Sequence, residues 1–140
     1  AYELFLDEKS GYHIVVSYGT DPAYGLYFEN TTRYYALTFH NEGREYAWLQ
    51  IEGISIVKGC RHRELAEKFI EYFISVEVQE EIPLNNWMFP ANSKVKLPDV
   101  YRVAVSPDKI VVLNRLVTTD YIAENINKWL SEWRKIVIGR

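Results

Sequence analysis

At 140 residues, 48% hydrophobic and 25% charged, the chain has the composition of one ordinary globular domain with a real core, not of a disordered segment. Acids and bases are mixed, the formal net charge is −3 and there is no basic stripe, which speaks against a nucleic-acid partner. No apolar run is long enough to span a bilayer, and the lone Cys60 can form neither an internal disulfide nor a paired zinc site.

The chain opens on Ala1-Tyr2-Glu3-Leu4-Phe5-Leu6, which has no charged-then-apolar leader and reads as the inside of a protein. A removed export signal or a preceding part therefore stays open. Residues 13–18, His-Ile-Val-Val-Ser-Tyr, form a short β-branched run that predicts a buried strand. Gly19 and the Asp21-Pro22 pair break it. Residues 34–39 predict a second strand, Asn41-Glu42-Gly43 a turn, and residues 46–58 a longer extended stretch with Gly53 as a bulge or crossing point.

Residues 64–75 predict a helix. Leu65, Ala66, Phe69, Ile70 and Phe73 share one face, and Glu64 and Lys68 form an i,i+4 pair on the other side. A short helix over 76–81 should be stopped by Pro83. Residues 92–107 are polar and proline-punctuated, so they read mostly as loop, and residues 110–113 as a short strand. The last helix is predicted over about 120–137, capped by Thr118, Thr119 or Asp120. Its apolar stripe comprises Ile122, Ile126, Trp129, Leu130, Trp133, Ile136 and Val137, and the two tryptophans read as core packing.

Two segments place large flat rings at the ends of these elements. One is Ser17-Tyr18-Gly19-Thr20-Asp21-Pro22-Ala23-Tyr24, the other Pro83-Leu84-Asn85-Asn86-Trp87-Met88-Phe89-Pro90. Rings on loops held by a scaffold suit capture of a flat or cationic solute. Bond chemistry is not indicated. His13, His40 and His62 share no metal spacing, and Glu77, Glu80 and Glu81 read as solvated charge. There is no Gly-x-Ser-x-Gly and no phosphate-cradling glycine loop. The chain is read as not an enzyme, with no cofactor.

At this point the residues resemble a known family. The run Val15 to Tyr24 is similar to the Ser-Tyr-x-x-x-Pro-Ala-Tyr segment of the thiamine-binding branch of ABC-importer solute-binding proteins. The run Ile82 to Pro90 is similar to its Ile-Pro-x-x-Asn-Trp-Met-Tyr-Pro block. Glu64-Leu65-Ala66-Glu67-Lys68-Phe69, with Phe73 and Ser75, resembles the helix after the lobe crossing. Trp129-Leu130-Ser131-Glu132-Trp133-Arg134 adds a fourth match, and the blocks run in family order.

The resemblance implies an α/β chain, the C-terminal part of a two-lobed type II periplasmic-binding-protein-like fold whose N-terminal portion is absent. Residues 1–45 would lie mainly in one lobe, 46–90 would cross to the other, and 91–140 would form the C-terminal helical part. It implies thiamine or a thiamine phosphate as ligand, an ABC-importer permease as membrane partner, and an extracellular or periplasmic place, with a membrane-anchored full-length form left open. Tyr18, Tyr24 and Trp87 would line the cleft. Asp21 would either balance the thiazolium charge or serve as the turn residue before Pro22. Ser17 and Thr20 would donate to a phosphate, and Asn86 would anchor its loop or touch the ring. Within the same superfamily, Tyr34 and Tyr35 resemble the paired tyrosines of ferric-ion-binding relatives, which makes iron or another small solute the alternative. A truncated half-fold would also expose apolar surface and could dimerise through it instead of binding a solute.

Overall fold

The computed structural model describes residues 2–139. They form a mixed helix and strand chain with one small sheet among the described residues. The chain divides into two compact units. The first takes the residues up to Leu37 together with Glu52–Ser106, and the second takes Thr38–Ile51 with the chain from Pro107 onward.

The first unit is helical. α1 (Tyr2–Leu6) is followed by a long irregular stretch, then by α2 (Asp21–Glu29). Residues 13–18 do not form the expected strand. They have no ladder partner among the described residues, and Val16 is 99% exposed. β-branched composition reports fit to a pleated surface, not the presence of a neighbouring strand. Asp21-Pro22 does not end an element but begins one. Proline lies in the first turn of α2, where its missing N–H costs nothing.

The small residues Pro22, Ala23 and Gly25 are buried, and α2 packs on a 3₁₀ helix at Asp99–Val103. α2 stops at Asn30, which takes a left-handed conformation and donates its N–H to the Gly25 carbonyl. Gly25 also lies under the ring of Tyr34, so that a Cβ there would run into it.

α3 (Arg63–Phe73) matches the expected amphipathic helix, but its i,i+4 ion pair is Arg63–Glu67, at 2.8 Å, rather than Glu64–Lys68. α4 (Val76–Gln79) is capped by the Ser75 hydroxyl, and α5 (Ile82–Asn85) follows at once. Pro83 does not stop the chain here. It lies in the first turn of α5 and is fully buried. Gln79, 4% exposed, ties the turns together. Its amide donates to the Phe73 carbonyl at 3.0 Å, and its carbonyl accepts from the Ala91 N–H at 2.7 Å.

In the second unit β1 (Phe39–Asn41) pairs antiparallel with β2 (Arg44–Ala47), Phe39 facing Tyr46. β2 pairs in parallel with β3 (Val111–Val112). Both strands of the hairpin are shorter than expected from residues 34–39 and 46–58. Asn114 exchanges two 2.9 Å bonds with the backbone of Leu49. α6 (Thr119–Ile138) is capped by the Thr118 hydroxyl, which accepts from the Tyr121 N–H, and closes on left-handed Gly139. Its apolar stripe is not a core within this chain. No residue of α6 is buried, and Trp133 is 58% exposed, while the Trp129 ring lies 5.7 Å from that of Tyr121.

Candidate functional site: a ring cluster

The first unit brings the two aromatic segments together. Tyr24, Tyr27 and Phe28 stand at i, i+3 and i+4 on α2 and so share one face. Trp87 faces all three. Its ring centroid is 5.0 Å from Tyr24, 5.6 Å from Tyr27 and 5.7 Å from Phe28, in edge or tilted arrangements. Tyr24 and Phe28 are 4.7 Å apart, and Tyr27 and Phe28 4.9 Å. Such geometries place positive ring edges against negative ring faces. Tyr27 and Phe28 are absent from the expected site residues. Their Tyr-x-x-Tyr-Phe spacing was visible, but it gains meaning only once Asp21-Pro22 is read as a helix start.

The cluster stays open to solvent. Tyr24, Tyr27 and Phe28 keep 36%, 50% and 60% of their surface exposed, and Trp87 is partly exposed. Trp87 takes φ +54°, a left-handed conformation unusual for a side-chain-bearing residue. Beside it, the Asn86 amide donates to the Met88 sulfur at 3.0 Å, so Asn86 braces the loop. The chain around Trp87 is also held by Tyr101. Its hydroxyl shares one proton between the carbonyls of Pro83, at 2.7 Å, and Met88, at 3.2 Å. Tyr101 is 5% exposed, and burial pushes its phenol up to about 12.

The other expected residues are placed as follows. Tyr18 is 66% exposed, outside the ring cluster. Its carbonyl accepts from the Asp21 N–H at 3.1 Å. The Ser17 hydroxyl donates to the Asp21 carboxylate, so these two side chains are spent on one another at the start of α2. Thr20 is buried at the cap position, where its carbonyl accepts from the Ala23 N–H at 2.9 Å. Tyr34 and Tyr35 have different surroundings. The Tyr34 ring packs against Phe5 and bonds Glu29 through its hydroxyl, whereas Tyr35 is 75% exposed. Among the described residues no group of three or more His, Cys, Asp or Glu could hold a metal ion. A depression lined by Asn127, Leu130, Ser131, Arg134 and Lys135 is the flank of α6 and offers no ring surface.

Four partly exposed rings without a nucleophile among them can hold a flat or cationic solute, the mode of solute-binding proteins. The chain is 34% identical to the thiamine-binding periplasmic protein of Salmonella typhimurium over 137 residues, which is 98% of this chain and 38% of that relative. It is equally identical, over the same shares, to that of Escherichia coli. It is 36% identical to that of Brucella suis over 134 residues, 95% of this chain and 37% of the relative. The chain is thus similar to thiamine-binding periplasmic proteins along nearly its whole length, and spans about 38% of theirs. No family model and no solved structure matches it. No helix of the described residues is long and apolar enough to cross a membrane.

Proposed function

We propose that this chain supplies one wall of the ligand site of a thiamine-binding protein. That protein serves an ABC importer on the extracellular or periplasmic side, and its partner is the importer's permease. The observation that carries the reading is the 5.0 Å approach of Tyr24 to Trp87, which joins the two segments that are similar to the thiamine-binding branch. The homologues' names support thiamine as the solute.

Thiamine has a permanently cationic thiazolium and a flat aminopyrimidine. A cation over an aromatic face gains roughly 0.5–2 kcal/mol, more as water is excluded. Burial of ring area adds about 25 cal/mol per Å². Tyr24 and Trp87 supply the ring surface in this reading, and Tyr27 and Phe28 support Trp87 from α2. Tyr18, exposed near the start of the same segment, would add a further ring only by turning towards the solute. Asp21, already bonded to Ser17, acts as a helix-start residue whose charge still favours a nearby cation. Ser17 would donate to a phosphate only by letting go of Asp21, Thr20 is buried at the start of α2, and Asn86 holds the Trp87 loop. In a protein of the relatives' length, two lobes would close on the solute by a hinge motion.

A thermal-shift series with thiamine, thiamine monophosphate and Fe³⁺ tests the reading. A solute at 100 times its Kd adds about 2.7 kcal/mol of stability. A shift with a thiamine form and none with Fe³⁺ supports it. A shift with Fe³⁺ alone would replace thiamine by iron.

A further inference from the structure

Residues 99–105 touch both aromatic segments. Their 3₁₀ helix packs on α2, which carries Tyr24, Tyr27 and Phe28. Two residues beyond that helix, the Val105 N–H donates to the Gly19 carbonyl at 2.9 Å, and a Cβ added to Gly19 would lie 3.1 Å from that of Val105. No slack exists between residues 99–105 and the first segment. From the same 3₁₀ helix, Tyr101 reaches the second segment, and the T-shaped contact of its ring with Phe89, at 5.2 Å, fixes the direction of its hydroxyl.

We infer that Tyr101 is a positioning residue for the ligand site: its buried hydroxyl clasps the backbone carbonyls on either side of Trp87 and so sets where that indole stands relative to the rings of α2. The inference rests on the reading of the ring cluster as the site. Its physical basis is that Pro83 and Met88 flank a residue whose left-handed backbone persists only when its surroundings hold it. One hydroxyl that bridges two carbonyls is such a hold. Without it, the buried Pro83 carbonyl and the part-buried Met88 carbonyl lose their shared donor and the loop relaxes.

The test labels the 140-residue chain with 5-fluorotryptophan and follows fluorine NMR, with the Trp87 resonance assigned by its loss in Trp87→Phe. In the unligated Tyr101→Phe variant the Trp87 resonance shifts or broadens, while those of Trp48, Trp129 and Trp133 hold. Thiamine affinity falls about three- to tenfold, the scale of one net hydrogen bond. Ile70→Ala on α3, a packing change, leaves the Trp87 resonance in place. A Trp87 resonance in Tyr101→Phe that coincides with the wild type overturns the inference. Should Tyr101→Phe not fold, Gly19→Ala, whose added Cβ presses on Val105 just past the 3₁₀ helix that carries Tyr101, decides by the same criterion. The unligated spectra judge Tyr101, and a thiamine titration of the wild type separately judges the site.

Discussion

The indole of Trp87 stands at 72° to the phenol of Tyr24 with ring centroids 5.0 Å apart, across 63 residues of chain. An edge-to-face pair of this kind is worth about 0.5–1.5 kcal/mol beyond the area it buries. In a double-mutant cycle of Tyr24→Ala and Trp87→Ala, urea unfolding should therefore return a coupling of that size. Strict additivity of the two losses would mean that the rings are near one another without interacting.

Trp87→Ala should weaken thiamine binding by roughly 1–3 kcal/mol, on the scale of ring stacking and burial. Isothermal titration measures it. An affinity equal to the wild type would leave Trp87 a packing role.

Gly25 lies in α2, where Gly→Ala alone would add about 1 kcal/mol of helix stability. Here the added Cβ meets the Tyr34 ring, which Phe5 and Glu29 hold in place. Overpacking of this kind costs about 1–3 kcal/mol, so the clash wins and Gly25→Ala lowers the melting temperature. A raised melting temperature would show that the ring moves aside freely.

Gln79→Leu should be costlier than its conservative volume suggests. It strips the Phe73 carbonyl and the Ala91 N–H of part-buried bonds to Gln79, at about 0.5–1.5 kcal/mol for each bond lost. Urea unfolding reads the loss, and Glu80→Gln next door, on an exposed side chain, should change little.

Tyr101 and Glu45 give pH dependences of opposite sign. Burial raises the Tyr101 phenol from the usual 10 to about 12. Its contribution to stability is complete below pH 10 and is lost as the pH rises towards 12. A tyrosinate absorbance titration should show one late phenol that Tyr101→Phe removes. Glu45 lies on exposed β2, where the Thr38 hydroxyl and then His40 hold its carboxylate below the ordinary 4.5. Its contribution is present above 4.5 and fades as the pH falls through the lowered value. Thr38→Val should move the Glu45 midpoint back up in a carbon-detected titration.

The amphipathic helices were legible in the sequence, because a 3.6-residue period is a local property. The expected boundaries of α3 and α6 lie within a residue or two of those found. The run at 13–18 misled for the opposite reason. A strand exists only with a partner, and Ile14 and Val16 have none among the described residues. Within the site, Tyr24 and Trp87 could be read as aromatic loop residues, but not their contact, which is made over long range. Tyr101 was hidden in a stretch read as loop. Its role follows from a hydroxyl reaching carbonyls 18 and 13 residues away, which no local pattern encodes.

The most direct test is a thiamine titration of the fluorotryptophan-labelled chain, with the four indoles observed separately. A saturable movement of the Trp87 resonance, with Trp48, Trp129 and Trp133 unmoved, is the expected result. If Trp87 stays still at thiamine concentrations that shift another indole, or if none of the four responds, the vitamin does not bind at the ring cluster.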